Sequence, residues 1–101
     1  MKKILFETHH LYYLPNFTPV IENLKLRGGY DIYLSMPQYM HERERKLFYS
    51  ACSSMDLPVI TAGDEVNRVK IIKSTKFDII VVGNVGQLTK IISDYTLSVM
   101  I

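Results

Sequence analysis

The sequence predicts an α/β fold: a three-layer, Rossmann-like (flavodoxin-like) sandwich on a five-stranded parallel sheet of order 3-2-1-4-5. Three observations predict it. Short β-rich runs alternate with stretches of helical periodicity along the whole chain, the pattern of βα units. Asp78-Ile79-Ile80-Val81-Val82 is a β-branched run of the kind that forms a central strand, buried on both faces. Right-handed crossovers with one reversal after the third strand then set the first and fourth strands side by side.

Ile4-Leu5-Phe6 opens the chain as a buried strand within residues 3–7. From Phe17, apolar residues fall at Val20, Ile21 and Leu24, the spacing of an amphipathic helix. Thr18 before Pro19 suits its start, and Gly28-Gly29 suits its end. Residues 31–35 form the second strand, closed by Met36-Pro37. A second helix is expected over 39–55, with Leu47, Phe48, Ala51, Cys52 and Met55 inward. Its opposite face carries the mixed-sign run from His41 to Lys46, which reads as a solvated helix face.

Pro58-Val59-Ile60-Thr61 is expected as a third strand, at the sheet edge because it opens with proline. Asp64 caps a third helix whose inward residues are Val66, Val69 and Ile72. After the fourth strand, Gly83-Asn84-Val85-Gly86 turns into a short helix bearing Leu88, Ile91 and Ile92, and residues 96–101 form a fifth strand. A parallel strand normally has a covering element after it, so a domain cut from a longer protein is expected.

The 101 residues suffice for one domain, 1–101, and for no second one. With 48% apolar and 22% charged residues, the composition is that of a soluble globular protein with a core. A net charge of +2, with no basic stripe interleaved with aromatics, argues against a nucleic-acid partner. No apolar run approaches the length of a membrane span, and the opening Ile4-Leu5-Phe6 run breaks at Glu7, too soon for a signal peptide. Cys52 is the only cysteine, which points to a cytoplasmic protein without an internal disulfide. Its helical spacing with Phe48 and Met55 makes it a buried thiol. No carboxylate or cysteine stands at a metal-ligand spacing from His9 and His10, so neither a metal nor a cofactor is expected.

Parallel sheets bind ligands beyond the carboxyl ends of their strands, at the point where the chain direction reverses. One wall of that crevice would be the loop Thr8-His9-His10-Leu11-Tyr12-Tyr13; the other would be Gly83, Asn84 and Gly86. His9, His10, Tyr12, Tyr13, Gly83 and Asn84 are therefore the candidate substrate-binding residues. A histidine there suits acid–base work near neutral pH, and backbone N–H groups after Gly83 suit a phosphate or carboxylate. Adjacent histidines also serve simply to satisfy local hydrogen bonds. Tyr12, Tyr13 and Phe17 either line a sugar-sized pocket, pack on a second domain, or staple the first helix.

Several familiar flavodoxin-like classes are excluded by the same loops. A phosphorelay receiver needs paired acids after the first strand and an aspartate after the third, where Thr8-His9-His10 and Thr61-Ala62 stand. A sugar-transport phosphocarrier needs a cysteine after the first strand, and a flavodoxin needs a Ser/Thr-rich phosphate loop. A stand-alone flavodoxin-like binding or regulatory module remains open as an alternative.

The runs Lys3-Ile4-Leu5-Phe6-Glu7, His10-Leu11-Tyr12-Tyr13-Leu14-Pro15-Asn16-Phe17 and Pro19-Val20-Ile21-Glu22-Asn23-Leu24, ahead of Arg27-Gly28, resemble one family in particular. It is the CDP-glycerol glycerophosphotransferases of teichoic-acid-type, cell-wall polymer synthesis, with related two-Rossmann-domain (GT-B type) glycosyltransferases. Lys76-Phe77-Asp78-Ile79-Ile80-Val81-Val82-Gly83 resembles the point where their first domain turns toward the interdomain cleft. The resemblance implies an amino-terminal, acceptor-side domain, inactive alone, whose partner is a carboxyl-terminal donor-binding domain. It also implies a sugar or polyol-phosphate acceptor and work in the cytoplasm, at the inner face of the membrane. The family's catalytic His-Gly would fall beyond the fifth strand, so no catalytic residue carries over; His10 and Tyr12 match the acceptor loop in type. An exposed strand edge at Met100 further predicts a homodimer.

Overall fold

A computed structural model describes residues 1–83 in full and the strand Leu97–Met100 by its backbone. Its elements are β1 (Lys2–Glu7), a 3-10 turn (Leu11–Tyr13), α1 (Leu14–Arg27), β2 (Tyr30–Ser35), α2 (Glu42–Ser54), α3 (Glu65–Thr75), β3 (Ile79–Val82) and β4 (Leu97–Met100). The sheet is all parallel in the order β2-β1-β3-β4, and β2-β1-β3 is the part whose side chains are described.

The expected five-stranded sheet of order 3-2-1-4-5 is thereby corrected. Residues 58–61 make one isolated parallel bridge, Leu34 to Val59, and no strand. Leu34 N–H donates to the Pro58 carbonyl at 3.0 Å, and Ile60 N–H to the Leu34 carbonyl at 2.8 Å. Pro58 has no N–H with which to extend the ladder, so pairing stops after one step. The helix expected after Gly83, with Asn84, Gly86 and Leu88, lies outside the described residues.

Side chains alternate across β1 and build two cores. Ile4 and Phe6 face α1 and α2, where Phe17, Ile21, Phe48 and Cys52 are buried with them. Phe6 and Phe17 pack ring on ring at 5.4 Å. Leu5 faces the other way, with Ile72 of α3, Phe77, Ile80 and Val82. Cys52 is fully buried, and burial pushes its thiol up to about 12.

Three helix readings are corrected in detail. α1 begins at Leu14, not at Thr18: Pro15 occupies the first turn, where an N–H is not needed, and Pro19 lies inside the helix. The Thr18 hydroxyl donates to the Leu14 carbonyl at 2.9 Å instead of capping. α1 ends where Gly28 and Gly29 take φ of 72° and 84°, a conformation that disfavours any side chain. α2 begins at Glu42, because the His41 ring accepts the Arg43 N–H and caps it; Leu47 is exposed. α3 turns Arg68 and Ile72 inward, whereas Val66 is 65% exposed.

Candidate functional site at the carboxyl edge of the sheet

β1, β2 and β3 end together, so Thr8, Met36 and Gly83 emerge on one edge. The β1 loop folds back across it as a ring cluster. His9 and His10 meet edge to face at 4.6 Å, and the His10 ring lies parallel to Tyr12 at 5.1 Å. Tyr12 and Tyr13 are 4.5 Å apart, with their hydroxyls at 3.5 Å. That hydrogen bond is the main reason the Tyr12 hydroxyl titrates above its ordinary value. The His9 Nδ1 lies 3.1 Å from the Tyr39 hydroxyl in the loop after β2.

Glu44 of α2 secures the loop from the other side. Its Oε1 accepts the Leu11 N–H at 2.7 Å and lies 3.8 Å from the His10 Nδ1. A carboxylate here meets the positive end of the helical run that starts at Leu11. Between loop and helix lies an open hollow of about 580 Å³, lined by Leu11, Tyr12 and Pro15 and by His41, Arg43, Glu44 and Leu47. Tyr12, 64% exposed, presents its ring to solvent beside this hollow.

On the far side of the loop, the Tyr13 ring packs on Gly83. A Cβ added to Gly83 would stand 2.8 Å and 2.9 Å from two Tyr13 ring carbons. Five of the six candidate residues (His9, His10, Tyr12, Tyr13 and Gly83) thus gather at one edge; Asn84 lies outside the described residues.

Sequence reasoning missed the charged group at the strand end from which this loop leaves. Glu7, the last residue of β1, is 2% exposed, and Arg68 of α3 is 1% exposed. Arg68 Nη1 donates to both Glu7 oxygens at 2.8 Å, while its Nε and Nη2 reach Glu65 at 2.8 Å and 2.6 Å. The Ser35 hydroxyl donates to Glu7 at 2.7 Å, and Glu65 also accepts the Gln38 N–H at 2.6 Å. One cation serves two carboxylates. Burial raises the Glu7 carboxyl above its ordinary value, with Arg68 opposing, because Glu7 is the more deeply buried acid. Burial also works against the Arg68 charge, but hydrogen bonds to Glu65 and attraction to Glu7 outweigh it and hold the guanidinium protonated. The available signal was the i, i+3, i+7 face Glu65-Arg68-Ile72 set against a carboxylate ending a buried strand.

Among the described residues, no group of three or more His, Cys, Asp or Glu side chains could hold a metal ion. No helix among them is long and apolar enough to cross a membrane. Comparisons with protein-family models, with curated proteins and with solved structures return no match.

Proposed function

We propose that this chain binds a polyhydroxy acceptor, a sugar or a polyol phosphate, at the carboxyl edge of its sheet. In this reading it is the acceptor-side domain of a nucleotide-dependent glycosyl- or glycerophosphotransferase, with a separate domain binding the donor. The protein would work in the cytoplasm, at the inner face of the membrane. The observation that carries the reading is the exposed Tyr12 ring, stacked on His10 beside a hollow that also holds Glu44 and Arg43. An aromatic face receives the C–H face of a sugar or polyol, while the flanking carboxylate and guanidinium reach hydroxyls and phosphate.

Titration of the labelled protein with glycerol 3-phosphate, methyl glucosides and CDP-glycerol, followed by NMR, tests it. Shifts at His9, His10 and Tyr12 with the polyol phosphate or sugar are expected. Tyr12→Ala should weaken that binding roughly threefold to tenfold, the equivalent of ~0.5–1.5 kcal/mol. Shifts confined to the opposite edge of the sheet, around Lys2 and Tyr30, would place the ligand elsewhere and end the proposal.

A further inference from the structure

Thr8 is fully buried, and its hydroxyl has no hydrogen-bond partner among the described residues. Burying an unpaired hydroxyl is unfavourable, and valine would fill the same space without that cost. Such a group calls for a reason.

Its position supplies one. The Thr8 N–H donates to the Ser35 carbonyl at 2.8 Å, so the β1 ladder continues through Thr8. Ile4 and Phe6 face α1, while Leu5 and Glu7 face α3. By alternation Thr8 faces α1, one step beyond Phe6 toward the start of that helix. The pairing of Glu7 with Val82, the last of β1 and β3, sets Gly83 beside Thr8 just past the strand ends. Gly83 is the residue that the Tyr13 ring covers. The buried hydroxyl therefore sits where β1 and β3 part, at the place where parallel sheets receive ligands.

We propose that the Thr8 hydroxyl is a specificity-determining ligand contact, which hydrogen-bonds an oxygen of a polyol phosphate when the Tyr13 ring moves off Gly83. The inference rests on the acceptor-binding reading and adds a residue that no surface feature would single out. It separates two roles that usually travel together: the hydroxyl contributes to binding and detracts from stability.

The test uses the whole chain, glycerol 3-phosphate as probe, and the variants Thr8→Val and Thr8→Ser. Thr8→Val should unfold at the same temperature as the unaltered protein or higher, yet bind glycerol 3-phosphate about tenfold more weakly, as loss of one hydrogen bond implies. Thr8→Ser should keep the affinity, and the Tyr13 ring signals should shift on binding to the unaltered protein. A Thr8→Val protein that is clearly destabilised or fails to fold would mean that the hydroxyl has structural work, and overturns the inference. Equal binding by Thr8→Val and the unaltered protein overturns it while leaving the acceptor-binding reading intact. Absence of binding by the unaltered protein removes both.

Discussion

Arg68 and Glu7 stand 61 residues apart in the chain, yet one guanidinium nitrogen of Arg68 lies 2.8 Å from each carboxylate oxygen of Glu7. Both side chains are almost completely excluded from water. The pair joins the end of the central strand to α3, and Glu65 extends it to the loop after β2 through Gln38. These bonds tie three segments of the edge together: the end of β1, the loop after β2 and the start of α3.

Removal of the cation should cost more than neutralisation of the acid. Arg68→Met strands two carboxylates, one of them fully buried, and should lower unfolding free energy by about 3–5 kcal/mol. Glu7→Gln leaves Arg68 paired with Glu65 and keeps an acceptor for Ser35, so a loss of about 1.5–3 kcal/mol is expected. Urea denaturation of the two variants ranks them. The reverse order would mean that Glu65 does not suffice to pair Arg68 once the Glu7 charge is gone.

The raised Glu7 carboxyl gives a pH signature of definite sign. Its ordinary value is 4.5, and burial raises it in the folded protein. As pH climbs past 4.5, the unfolded chain gives up this proton first and the folded protein retains it. The folded state then binds more protons, so the Glu7 contribution to stability falls as pH rises, until the folded carboxyl has ionised too. The stability of the unaltered protein minus that of Glu7→Gln should therefore decline across this window. A difference that grows with pH would show that Arg68 outweighs desolvation.

How far the edge was legible in the sequence follows from the kind of signal each residue carries. β1, β2 and β3 are written in local hydrophobic runs, and a loop after a parallel strand has one place to go, so the gathering of His9, His10, Tyr12 and Tyr13 could be read. Residues 58–61 look like a strand because Val59 and Ile60 are β-branched, but Pro58 in the same run withholds the N–H that the next ladder step needs, and only the bridge to Leu34 forms. Arg68 was hidden by its charge. A face read from apolar periodicity alone prefers Val66, which is exposed, to a guanidinium buried by carboxylates far away in the chain.

Gly83 is held by the neighbouring ring, since a Cβ there meets Tyr13 at 2.8 Å. Gly83→Ala should displace the ring and cost about 1–3 kcal/mol. The same substitution made on a Tyr13→Ala background should cost less than about 0.5 kcal/mol, because the obstacle has gone. Equal costs in the two backgrounds would locate the constraint in the backbone instead.

Glu44 is the other support of the loop, and its effect can be isolated from the ring contacts. Its Oε1 accepts the Leu11 N–H at 2.7 Å, and the side chain is only one-quarter exposed. Glu44→Ala leaves that part-buried N–H without its acceptor, which should cost about 1–3 kcal/mol. Glu44→Gln keeps an oxygen in place and loses only the charge, so it should cost about half as much or less. Hydrogen exchange gives the sharper reading. The Leu11 amide should exchange faster in Glu44→Ala than in Glu44→Gln, while amides around Phe48 and Cys52 in α2 stay protected. Uniform loss of protection along α2 would mean that Glu44 stabilises the helix that carries it and not the loop it touches.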